Sequence, residues 1–136
     1  MCTEVLEHLL DPAYYLDCFA GLLKSGGLCI VSLPNENTVF HRLYSVLGYG
    51  IDSCAFADYG THKHLHFPTL SQSRGFLSSR FIIDVEEYYI DPSGKGSRFS
   101  FIGKLFTALP DSFWYMLSSC LPSLFARGGV WRLKLK

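Results

Sequence analysis

Apolar residues first fall into register at Leu16, Phe19, Ala20 and Leu23, at spacings of three and four. That period marks one face of a helix and predicts a helix over 12–24. Asp11 stands where an N-cap belongs, and Pro12 suits the first helical turn. Lys24 complements the far end of the helix dipole, and Ser25-Gly26-Gly27 supplies a stop. LCIVSL at 28–33 then forms a continuous apolar run, the pattern of a strand covered on both faces. Pro34 ends it, and NENTVFHRLYSVLG reads as a polar loop feeding a second helix that stops at Gly48. Residues 49–67 are loop-like, and a short helix starts at Pro68 or Thr69. RFIIDVEEYYI at 80–90 predicts a strand with Phe81, Ile83 and Val85 on one face. A flexible turn over 91–97 leads to helices over 99–109 and 111–121, and GGVWRLKLK closes the chain as an alternating strand.

A strand that follows a helix across a tight glycine turn is half of a βαβ unit. The fold class expected is therefore α/β, with strands buried between helices. One domain spans 1–136, and residues 99–126 form a helical insertion or lid within it. Sheets of this kind bind ligands outside the carboxyl ends of their strands. Two polar loops fall there, the opening one and PNEN at 34–37.

Twelve basic and twelve acidic side chains leave a formal net charge of zero. That removes the electrostatic case for a protein that grips nucleic acid by its phosphates. Cys2, Cys18, Cys29, Cys54 and Cys120 contain no C-x-x-C pair. Their spacing fits neither a zinc ribbon nor a disulfide framework, and predicts small apolar core residues in a reducing, cytoplasmic setting. The acidic N-terminus soon meets Asp11-Pro12 and has no signal-peptide character. The most apolar stretch is broken by Lys104, Pro110, Asp111 and Pro122, short of the run of about 20 residues a spanning helix needs. Peripheral contact with a membrane surface through 99–126 stays open.

Glu4, Glu7 and His8 form an E-x-x-E-H pattern. On a helix, residues 4 and 8 lie one turn apart and residue 7 adjoins, so the three converge. Two carboxylates and an imidazole suit a divalent metal; the alternatives are a metal-free active-site floor or a purely structural segment. THKHLHF places His62, His64 and His66 at alternate positions, which share a face on an extended segment. One of them, His64 first, is a candidate base or substrate contact, and surface placement is the plain alternative. Asn35 is positioned to hydrogen-bond an acceptor hydroxyl; equally, Asn35 or Asn37 caps a helix. Phe113, Trp114, Tyr115, Phe125 and Trp131 read as core packing, or else as a lid. No Ser-His-Asp order or reactive-cysteine context supports a hydrolase.

EVLEHLLDPAYYLDCFAGLLKSGGLCIVSLPNEN resembles the second half of the class I S-adenosylmethionine-dependent methyltransferases, of the methyltransferase type 11/23-like kind. The residues that carry the likeness are Leu6-Glu7-His8-Leu9, Asp11-Pro12, Leu22 to Gly27 and Pro34-Asn35. HLHFPTLSQSRGFLSSRFIIDVEEY looks like the family's segment leading into its sixth strand. The tail LPSLFARGGVWRLKLK is similar to the last strand of members acting on sugars or surface polysaccharides. The resemblance covers residues 3–90, and the tail loosely.

It implies a partial Rossmann-like methyltransferase sheet, from strand four onward, with flanking helices. It also implies methyl transfer from S-adenosylmethionine to a hydroxyl-type acceptor, such as a small molecule or saccharide. His8, His64 and Glu7 would be catalytic, and Asn35, Asn37 and His62 would contact substrate. Glu4, Glu7, His8 and His64, with His62 as the alternative to His64, would hold Mg2+, as in members that methylate ribose or catechol-type hydroxyls. The family's glycine-rich loop and ribose-binding acid find no counterpart, since neither Gly48-Tyr49-Gly50 nor Gly94-Lys95-Gly96 follows an apolar strand into a helix. The expectation is a truncated domain, inactive alone. A half-sheet of this kind also leaves an open edge that invites self-association or a partner chain, which makes a non-catalytic interaction module the alternative.

Overall fold

Local sequence signals set the helices. In the computed structural model, which describes residues 1–48, 64–90 and 109–136, helix α1 spans Pro12–Leu22 and Asp11 caps it by accepting from the Tyr14 amide at 3.0 Å. The chain leaves α1 through Gly26, whose φ of 75° is one that glycine adopts at little cost. Helix α2 (Val39–Val46) follows the PNEN loop. Helix α3 (Leu70–Ser78) opens with a capping box, in which Thr69 Oγ1 accepts from the Gln72 amide and Gln72 Oε1 accepts from the Thr69 amide. Helices α4 (Asp111–Cys120) and α5 (Pro122–Phe125) precede the last strand.

The strands are β1 (Cys2–Thr3), β2 (Leu28–Pro34), β3 (Phe81–Tyr89) and β4 (Gly128–Leu135). They form one sheet in the order β1-β2-β4-β3. β1 pairs parallel with β2, and β4 runs antiparallel to both β2 and β3. β1, β2 and β3 therefore share a direction, with β4 inserted between the latter two. Mixed α/β architecture is as the sequence predicts, and a sheet of this form with flanking helices is compatible with part of a methyltransferase fold.

One face of the sheet carries the core. Cys29, Val31 and Leu33 of β2 lie level with Leu133, Trp131 and Gly129 of β4. Onto them pack Leu6, Leu16 of α1, and Leu70 and Leu77 of α3, beside Phe81 of β3. Each such buried side chain contributes about 2 kcal/mol through removal of apolar surface from water.

The other face departs from expectation. Leu28 and Ile30 are 51% and 38% exposed, so the first half of β2 is covered on one side only. Their cross-strand neighbours Lys134 and Arg132 donate to Asp84, each at 2.7 Å. Val85 also changes sides. A register shift between Ile83 and Val85 places the latter opposite Arg132, while Phe81 and Ile83 stay over the core; an extra residue in one strand inverts the alternation beyond it.

Of the aromatics, Trp131 and Trp114 are buried and Tyr115 is exposed. Trp131 lies over Gly129, where a Cβ would sit 2.5 Å from the ring, and its indole donates to Glu86 at 2.8 Å. Among the cysteines, Cys29 is buried, Cys2 and Cys18 are half-buried and Cys120 is exposed, all as free thiols; Cys54 lies outside the described residues. So does most of the expected 99–109 helix, and with it the first part of the supposed 99–126 lid. Among the described residues no helix is long and apolar enough to cross a membrane.

Candidate functional site

Two polar clusters stand at the carboxyl ends of the parallel strands, where ligands bind in sheets of this type. The first begins with the short 3-10 turn Leu6–His8 directly after β1. Its backbone holds a distant segment, since the Glu7 carbonyl accepts from the amides of Leu65 and His66 at 2.7 and 3.1 Å. His66 Nε2 in turn lies 2.8 Å from the Leu9 carbonyl oxygen, which fixes that ring as a strut. The Glu36 amide donates to the Pro68 carbonyl at 3.3 Å. The opening turn, the PNEN loop and residues 64–68 are thereby drawn together.

The result is a knot of ionisable side chains. His8 Nε2 and His64 Nε2 lie 3.8 and 4.0 Å from Glu7 Oε1. The two imidazoles meet edge to face, 4.7 Å between centroids. One ligand atom from each of Glu7, His8 and His64 falls within 4.8 Å of the other two. Glu7 is 1% exposed, and neither of its carboxylate oxygens receives a hydrogen bond. Burial raises its pKa above the ordinary carboxylate value, and the charge of Glu4 adds to this against the pull of His64 and His8.

Behind His64 stands Glu36. Its Oε1 is 2.6 Å from His64 Nδ1, and its Oε2 is 3.8 Å from His41 Nε2. His41 Nδ1 is 3.1 Å from Thr38 Oγ1. On the other side of Glu7 a pocket of about 420 Å3 opens between the 3-10 turn and α3. Leu6, Leu33, Phe67 and Phe76 supply apolar walls, and Ser73 presents a buried hydroxyl with no hydrogen-bond partner.

The second cluster contains Glu4, which the sequence places with the metal-binding group. Glu4 has a φ of 51°, so the segment is not helical at this point, and its carboxylate is not among the ligand atoms that converge with Glu7, His8 and His64. Its carboxylate accepts from Ser32 Oγ at 3.0 Å and from the Tyr89 hydroxyl at 2.9 Å. Tyr89 reaches it by crossing Gly128, where a Cβ would overlap the Tyr89 hydroxyl and stand 2.7 Å from the Leu33 carbonyl oxygen.

Asn35 also takes a place other than the one expected for a substrate contact. It is 1% exposed, its amide donates to the carbonyls of Ser123 and Ala126 at 3.2 and 2.9 Å, and its Oδ1 accepts from the Asn37 amide. Both its donors are spent on tying the end of β2 to α5. Asn37 contributes its carbonyl to Arg42 Nε at 3.0 Å. His62 lies outside the described residues. Sequence reasoning missed Glu36, His41, Ser73 and Tyr89. An acid inside PNEN beside two histidine-bearing segments was a signal for Glu36, whereas Tyr89 is revealed only by strand register.

Chemically, the first cluster gathers acceptors. A buried carboxylate and two imidazole nitrogens converge, with no donor hydrogen-bonded to the carboxylate, and such a set attracts a proton or a cation.

No family model matches the chain. Among curated proteins it is similar to the ubiquinone biosynthesis O-methyltransferase of Psychrobacter cryohalolentis, 37% identical over 68 residues, which are 50% of this chain and 26% of the relative. The protein of the same name from Nitrosomonas europaea is 32% identical over 94 residues, 60% of this chain and 36% of the relative. That from Burkholderia vietnamiensis is 30% identical over 96 residues, 69% of this chain and 40% of the relative. The chain thus spans between 26% and 40% of the length of these relatives. None of these names supports a sugar or polysaccharide acceptor. What the matches carry is a sequence relationship between this chain and the O-methyltransferases.

Proposed function

We propose that the chain supplies the acceptor side of an O-methyl-transfer site. A hydroxyl compound sits in the pocket beside Glu7, and a divalent cation, Mg2+ by resemblance, lies among Glu7, His8 and His64. The observation that supports this reading is the convergence of three ligand atoms within 4.8 Å on a carboxylate whose buried oxygens receive no hydrogen bond.

The donor set fits a divalent ion, with a hard carboxylate and two imidazoles on one side and room for oxygen ligands from the pocket. A cation bound there would polarise an oxygen brought against it. The protein's own groups do the rest. Leu6, Leu33, Phe67 and Phe76 seat the apolar body of the acceptor and exclude water, while the imidazoles of His8 and His64 serve to hold the cation beside it. Apolar walls offer few partners to a sugar ring, so a largely apolar alcohol or phenol suits the pocket better.

S-adenosylmethionine is the methyl donor that the relationship implies. Its grip calls for glycines that admit close backbone approach and a carboxylate for the ribose hydroxyls. The turns after β1 and β2 contain no glycine, so the described residues do not provide that grip and no step is derived through the donor.

Mn2+ titration of the chain by calorimetry, with phenol as the hydroxyl probe followed by NMR line broadening, tests the proposal. One Mn2+ site that sharpens phenol binding, and its loss in Glu7→Gln, is the expected result. Phenol binding indifferent to both Mn2+ and the substitution would overturn it.

A further inference from the structure

We infer that Glu36 is a positioning residue that locks His64 in the tautomer carrying its proton on Nδ1, so that the bare Nε2 faces Glu7 and His8. The contact of 2.6 Å between Glu36 Oε1 and His64 Nδ1 is the shortest in the cluster, and a carboxylate can only accept across it. Nδ1 is therefore the protonated nitrogen. On the neutral ring that leaves a lone pair on Nε2, 4.0 Å from Glu7 Oε1. A free neutral histidine side chain favours the proton on Nε2, so the opposite tautomer has to be imposed by the bond that Nδ1 makes.

Glu36 is itself held. Its amide is tied to the Pro68 carbonyl at 3.3 Å, its second oxygen faces His41 Nε2 at 3.8 Å, and His41 is anchored by Thr38 Oγ1 at 3.1 Å. The carboxylate is thus fixed between the two loops at the carboxyl end of β2. A carboxylate behind a ligating histidine is the usual means of orienting the ring and raising its basicity. The consequence for affinity rests on the reading of Glu7, His8 and His64 as a cation site; the tautomer does not.

Long-range proton–nitrogen NMR on the 15N-labelled chain, freed of metal by chelation and held at a pH where imidazole is neutral, reads the tautomer of His64 directly. The wild-type chain is expected to show Nδ1–H, Glu36→Ala to lose that preference, and Glu36→Gln, whose amide oxygen still accepts, to keep it. Circular dichroism confirms that each variant is folded. A wild-type ring already in the Nε2–H form, or an unchanged tautomer in a folded Glu36→Ala variant, would overturn the inference. Mn2+ titration of the same samples separates the two readings. Weakening in Glu36→Ala by about 10- to 100-fold supports both, whereas the expected tautomer with no Mn2+ binding to the wild-type chain sinks the cation site and leaves the role of Glu36 standing. Mn2+ binding unaffected in a Glu36→Ala variant that has lost the tautomer overturns the use of His64 as a cation ligand and leaves the tautomer lock standing.

Discussion

The Tyr89 hydroxyl, at the end of β3, donates to Glu4 Oε1 just beyond β1, at 2.9 Å and across the two strands that lie between them. Burial, and then the bond to Glu4, raise the Tyr89 pKa above the ordinary tyrosine value. As pH climbs past about 10, an unfolded tyrosine gives up its proton first. The contribution of Tyr89 to stability is therefore complete below that pH and is lost as pH rises through its own raised value. A spectrophotometric titration of the native chain should show tyrosines that resist ionisation, with Tyr88, partly desolvated and beside Glu86, pushed up to about 12. Tyr89→Phe should remove one late-titrating group and flatten the alkaline decline in stability.

Gly128 is what allows that crossing. Gly128→Ala should cost about 2 kcal/mol or more in urea unfolding, because neither the Tyr89 ring nor the Leu33 backbone can move aside freely. Gly75→Ala is the contrasting case. It lies within α3 with nothing inside 4 Å of an added Cβ, and should raise stability by about 0.5–1 kcal/mol.

Asn35→Ala strips two buried donors from the carbonyls of Ser123 and Ala126. A loss of about 2–3 kcal/mol is expected from such unsatisfied groups, read as a lower urea midpoint. Mn2+ affinity measured under native conditions should change little, since Asn35 does not touch the Glu7 cluster.

Glu7→Gln should stabilise the metal-free chain at neutral pH by about 1–2 kcal/mol, by replacing a buried charge that no donor satisfies. The sign follows from a folded pKa raised above the unfolded one. Wild-type stability is fullest below the ordinary carboxylate range and declines as pH rises through the value Glu7 has in the fold. The difference between Glu7→Gln and wild type, followed by thermal melts across pH, should therefore grow with pH and then level off. A difference that is flat across that window would sink this account of Glu7.

Much of the fold was legible because its signals are local. Asp11-Pro12 and the three-four spacing placed α1, the Thr69-x-x-Gln72 pattern is an actual capping box, and both long apolar or alternating runs became strands. The misses came from positions decided by tertiary geometry. A two-residue β1 is too short to carry a period, and one extra residue near Asp84 turned Val85 to the other face. Glu7, His8 and His64 were legible from pattern and resemblance, and the structure brings all three together. Glu4 was not, because its left-handed backbone breaks the helical spacing that grouped it with them. Asn35 reads alike as a ligand contact or a tie until its two carbonyl partners are seen.

The place of β4 bears on how the chain is made. Among the described residues β2 and β3 have no ladder with each other, and each finds its long partner in β4, the last of the described strands in sequence. On a ribosome, the earlier strands would emerge with their inner edges bare and wait for β4 to close the gap. Non-local closure of this kind is slow and leaves exposed edges open to wrong pairing in the interval. A nascent chain arrested before residue 128 should therefore be open to protease along β2 and β3, and gain protection only once Gly128–Leu135 have cleared the exit tunnel.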